Sequence, residues 1–163
     1  MSAPTALVAM FDPWAEAYSN SSVLPTLIVF VHIAGLMLAG GFAIALDRGT
    51  LRAARSSHET QQRHLDELHV GHRWILSGLA LSATSGVLMF AADVETYFDS
   101  PVFWSKMALI AALLVNGFVM TRAESRLRGG PDVAGWTGLK ARAVTSMVLW
   151  FAIALGGVAL VNT

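Results

Sequence analysis

The sequence contains no cysteine. Disulfides, thiolate metal sites, iron–sulfur clusters and thioether-linked haem are therefore excluded. Charge is scarce as well: Asp, Glu, Lys and Arg make up 13% of the chain, about half their share in an ordinary soluble domain. The N-terminus lacks the basic start of a secretory signal, so nothing there reads as cleavable. There is no internal repeat and no low-complexity tract. No phosphate-cradling loop, nucleophile–base arrangement or paired intramembrane carboxylate stands out, so hydrolase and nucleotide-driven activities have no support.

What is abundant is apolar surface. Hydrophobic residues make up 55% of 163 positions, more than one soluble domain of this size can hide. A bilayer removes the difficulty, because lipid is the solvent for the outward faces. A spanning helix needs roughly 20 mostly apolar residues to cross the hydrocarbon layer. Four stretches qualify: 23–46, 74–92, 102–121 and 143–161. The expected fold is an all-α integral membrane four-helix bundle, up-down-up-down, preceded by an outer segment 1–22. Within that segment, Thr5 to Tyr18 reads as a short amphipathic helix lying along the membrane surface.

The basic residues set the orientation. Arg48, Arg52, Arg55, Arg63 and Arg73 fall between spans one and two (47–73). Arg122, Arg126, Arg128, Lys140 and Arg142 fall between spans three and four (122–142). Loops rich in Lys and Arg stay in the cytoplasm, so both termini are expected outside. The outer segments are acidic, with Asp12, Glu16, Asp93, Glu95 and Asp99. Trp14, Tyr97, Phe98 and Trp104 fall at the outer interface, Trp74 and Trp136 at the inner one. Local signals mark the ends. Ser100-Pro101 is a cap followed by proline at the first helical position. Ser56 and Glu59 have capping-box spacing, so the second helix is expected to begin near Ser57. Gly129-Gly130-Pro131 breaks the second inner loop.

An ionisable group inside a membrane helix is costly and is a functional candidate by default. His32 is the one histidine well inside a span. In its plain structural role, the neutral ring bonds a neighbouring helix; in a functional role, it binds a cofactor or metal. Counting inward at 1.5 Å per residue, His32 lies about 22 Å above the inner boundary, level with Met89, Met107 and the pair Gly156-Gly157. Imidazole with thioether is an axial set for haem iron, and the same pair suits Cu(I). The glycines would leave room for a flat macrocycle. Gly78, Ser82 and Ser85, on the Met89 face, mark a helix–helix interface. Asn116 is expected to bond across an interface.

A second histidine group, His58, His64, His69 and His72, surrounds the start of the second helix. His69 and His72 are three apart on one helical face and can share a metal, or His72 at the membrane boundary can bind haem iron; otherwise they are part of a solvated helix end. His32 and His72 differ by about 20 Å in height, too far to bind opposite faces of one haem.

The stretch VHIAGLMLAGGFAIALDRGTLR, from Val31 to Arg52, resembles the first span of a group of uncharacterised bacterial four-helix membrane proteins. HRWILSGLALSATSGVLMFAADVETYFDSPVFWSKMALIAALLVNGFV, from His72 to Val119, is similar to that group's second and third spans. The group distantly resembles the membrane domain of copper-resistance protein D and the four-helix b-type cytochromes. The resemblance implies a bacterial inner membrane location and points to His32. The cytochromes use several intramembrane histidines; this chain has one, plus the boundary His72.

Three functions follow as expectations. The first is a haem-b protein, an electron-transfer or accessory subunit, with His32 as axial ligand and Met89 or His72 as partner. The second is copper handling through His32, Met89 and Met107, with His69 and His72 as a handover point. The third is a non-catalytic subunit that packs through Gly78, Ser82, Ser85 and Gly86 against other membrane subunits or a second copy. An enzyme acting alone is not expected, and nothing calls for nucleic acid.

Overall fold

The computed structural model describes residues 5–129 and 132–161. Gly130 and Pro131, expected to break the second inner loop, lie outside the described residues, as do both termini. The described chain is helical, without strands: α1 (Thr5–Ser19), α2 (Val23–Ala53), α3 (His58–Ala92), α4 (Val94–Asp99), α5 (Pro101–Leu127) and α6 (Val133–Val161). Four of these helices, α2, α3, α5 and α6, are long and apolar enough to cross a membrane. Their outward faces expose Phe30, Met37, Leu76, Val115, Phe151 and Leu155. In water such continuous apolar surface would drive association; in lipid it is solvated.

Each long helix outruns its apolar stretch. α2 continues to Ala53 and α3 starts at His58, so the polar segment between the first two apolar stretches is mostly helix and the connection itself is residues 54–57. Helix formation needs satisfied backbone bonds, which charged residues at a helix end do not disturb. Ser57 is the N-cap of α3, but the Ser56–Glu59 capping box does not form. Ser56 Oγ instead donates to Arg52 O, and Glu59 accepts from Arg63. At α5 the expected cap is present: Ser100 Oγ accepts from Phe103 N, and Pro101 follows. The connection between α3 and α5 carries α4, capped by Asp93, whose carboxylate accepts from Thr96 N. Tyr97 of α4 packs on Phe90 and Phe103. Burial, with Tyr18 and Asp93 nearby, pushes its phenol above the ordinary value.

The tightest seam joins α2 to α3. Gly35, Ala39, Ala43, Asp47 and Thr50 recur at steps of three or four along α2 and are buried, and Gly71, Gly78, Ser82 and Ser85 form the facing stripe. Small residues let the backbones touch, as membrane helices require when lipid offers no hydrophobic drive. Along this seam residue numbers rise in α2 as they fall in α3: His32 meets Ser82, Gly35 meets Gly78, Leu46 meets Gly71, and Thr50 meets His64. α5 and α6 form a second pair, crossed by the expected bond from Asn116 Nδ2 to Arg142 O at 3.1 Å. α2 also packs on α6, where the Trp150 ring lies over Gly40.

Two apolar clusters fill the interior. One centres on Ala39, Ala43, Leu113, Trp150 and Ile153. The other, toward the α2–α3 connection, contains Leu65, Leu68, Leu127, Trp136 and Leu139. Trp136, expected at the inner interface belt, is buried in this second cluster because α6 begins well before its apolar stretch and carries the indole inward. Trp74 is exposed and stacks on Phe42, and Trp104 is exposed with its indole N–H on Phe98 O. α1 is tied to α3 by Trp14, whose indole N–H donates to Leu88 O at 2.9 Å.

Candidate functional site

Polar side chains meet inside the bundle at two levels, one on either side of the cluster around Trp150. The first is built on His32. Its ring faces α3, where Nδ1 lies 2.9 Å from Ser82 O and 3.2 Å from Ser85 Oγ. A carbonyl only accepts, so Nδ1 carries the proton and donates it. Nε2 is then the unprotonated nitrogen, the form in which imidazole ligates a metal. The ring fits here because α3 is small at this level: a Cβ on Gly86 would stand 3.3 Å from His32 Cε1.

Lys106 of α5 is close enough to act on His32 electrostatically, and its stem lies along the Gly156-Gly157 face of α6. The glycine pair and His32 therefore belong to one level, and the space the glycines leave is lined by Lys106. Met107 follows Lys106 in sequence. Met89 lies one turn of α3 beyond Ser85 toward the helix C-terminus, on the same face. An open, mostly apolar groove of about 600 Å³ flanks the level, lined by Ile28, Val31, Thr84, Ser85 and Leu88 among others. The stripe of Gly78, Ser82 and Ser85 is occupied by α2, so it is an internal seam and does not serve as a docking face for another subunit.

The second level lies toward the α2–α3 connection. His72 is about 15 Å or more from the Ser82–Ser85 level along α3 by helix rise. Its Nδ1–H donates to Leu68 O at 2.6 Å and stands 4.0 Å from Glu124 Oε2. Asp47 of α2 is within electrostatic reach of both Glu124 and His72, and its carboxylate lies beside the Ser146 hydroxyl of α6. Asp47, His72, Glu124 and Ser146 thus come from the four long helices, one from each. Asp47 is 3% exposed and Glu124 6%. These are paired interior carboxylates, which the sequence alone does not bring together. They sit beyond the apolar stretches, where helix ends are normally wet, and burial comes from the neighbouring helices.

His64 is the buried one of the second histidine group. Its Nε2 lies 2.8 Å from Thr50 Oγ1 and its Nδ1 3.4 Å from Glu67. His58 and His69 are exposed. Among the described residues no three His, Cys, Asp or Glu side chains converge to hold a metal. Arg128 closes this end, donating to Asp66 at 2.7 Å and to the Leu65 carbonyl.

Four apolar helices enclosing polar residues at two levels define a multi-pass membrane protein. The chain belongs to a family of unknown function, DUF6644, whose model matches residues 15–161. No curated protein and no solved structure matches it.

Proposed function

We propose that this protein is a haem-b-binding component of a bacterial inner membrane, an electron-transfer or accessory subunit of a redox complex. In this reading the four helices run up-down-up-down through the bilayer, with both basic connections in the cytoplasm and both termini outside. The observation that carries the proposal is the bond from His32 Nδ1 to Ser82 O. It fixes the ring and its tautomer and leaves Nε2 free, the arrangement that outer-shell partners commonly impose on a ligating histidine.

The residues present fit such a group. His32, with Met89 or His72, would hold the iron, and Lys106 would offer a cation for the acidic side groups of the macrocycle. When bound, haem supplies one-electron exchange. The protein's part is to orient the imidazole, exclude water through the apolar clusters and set the polarity around the ligand.

The test is a visible spectrum of detergent-purified protein, oxidised and then reduced. A Soret band that shifts on reduction and is lost in His32→Ala is expected. Purified protein without extractable haem would remove the proposal. Stoichiometric copper retained by wild type and lost in His32→Ala would instead favour the copper role of His32, Met89 and Met107.

A further inference from the structure

The carboxylates of Asp47 and Glu124 are deeply buried, yet one oxygen of each, Asp47 Oδ2 and Glu124 Oε1, has no hydrogen-bond partner. Removing a charged group from water without compensation costs several kcal/mol, more than a single surface interaction returns. The charges available nearby compensate only in part: Arg128 acts on Glu124 electrostatically, without a side-chain bond to it. Arg128 is committed to Asp66 and the Leu65 carbonyl. His72 gives its Nδ1 proton to Leu68 O and stands 4.0 Å from Glu124 Oε2, which leaves Oε1 turned elsewhere. Ser146 is beside Asp47 and is itself buried.

We infer that Asp47, Glu124 and Ser146 form a cation site between α2, α5 and α6, taking a hard divalent ion of the Mg²⁺ or Ca²⁺ class. The donors are oxygen, which selects hard cations over Cu or Zn. Two carboxylates balance a double positive charge. Two carboxylates and one hydroxyl are few protein ligands. That matches an ion that keeps part of its water and is held through one or two carboxylates, as Mg²⁺ commonly is. The site is separate from His32, with the apolar cluster around Trp150 between them, and stands whether or not haem binds there.

Mn²⁺ is a paramagnetic probe for this class. Detergent-purified full-length protein titrated with Mn²⁺ should bind about one ion per chain, displaced by Mg²⁺ or Ca²⁺ and not by the same concentration of Na⁺. Asp47→Asn and Glu124→Gln, which keep side-chain shape, should each weaken binding by about tenfold or more, while Glu59→Gln on the exposed start of α3 should not. In a parallel measurement on wild-type protein alone, millimolar Mg²⁺ or Ca²⁺ should raise the midpoint of thermal unfolding, because a ligand of the folded state stabilises it. The inference is overturned by no Mn²⁺ binding at millimolar concentration, by binding that survives both substitutions or is lost in Glu59→Gln, or by a midpoint that neither ion moves.

Discussion

Gly35 and Gly78 bring the backbones of α2 and α3 into mutual contact: a Cβ on Gly35 would lie 2.8 Å from Gly78 O, and a Cβ on Gly78 would lie 2.7 Å from Gly35 O. Neither neighbour is a flexible side chain that could move aside. Gly78→Val should therefore push the helices apart and lower stability by about 2 kcal/mol or more, in the range of overpacked cores. Gly41, where an added methyl would meet open space, should tolerate alanine. Denaturant unfolding in detergent, followed by circular dichroism, checks both.

Displacing these helices also moves His32 relative to its support. Ser85 is the second group beside His32 Nδ1, and its own hydroxyl donates to Leu81 O at 2.7 Å. On the proposed haem role, Ser85→Ala should leave binding in place but weaken it by about tenfold, the lower end for loss of an outer-shell partner. His32→Ala should abolish it. Haem titration of the two variants separates a positioning role from a ligating one.

Thr50 and His64 lock the connected ends of α2 and α3 together. Thr50→Val keeps the shape but leaves buried His64 Nε2 without its partner at 2.8 Å. An unsatisfied buried group costs about 1–3 kcal/mol. The measured loss in unfolding free energy should fall in that range, and His69→Ala, at an exposed position, should cost far less.

The absence of cysteine makes orientation directly measurable. Glu95→Cys, on α4, should react with a membrane-impermeant maleimide applied from outside. Ser56→Cys, in the α2–α3 connection, should react only after the membrane is opened. The reverse pattern would invert the proposed topology.

The number of long apolar helices, the start of α5 at Pro101 and the Gly78–Ser82–Ser85 stripe were legible in the sequence, because each depends on residues close together in the chain; the Asn116 cross-bond was legible because a polar side chain within an apolar helix needs a partner on a neighbour. The interior acids were not. Asp47 reads as the polar exit of an apolar stretch, and Glu124 lies among Arg122, Arg126 and Arg128, where a solvated helix end is the natural inference. Their burial is a tertiary property. A signal was present nonetheless: Asp47 continues the Gly35, Ala39, Ala43 series in steps of four, and Glu124 falls on the stripe of Leu113, Met120 and Leu127. Similarly, His64 faces α2 only because the two helices stay in contact beyond the apolar stretches.

The way the helices pair also bears on how the molecule comes together. α1 and α3 join through Trp14, α2 grips α3 along its whole seam, and α5 grips α6, while the two halves meet where Trp150 covers Gly40. Covalent continuity through α4 is thus one tether among several. Complementary fragments severed between Asp93 and Ser100 and produced in the same cell should find each other unaided, each hairpin inserting first and docking second.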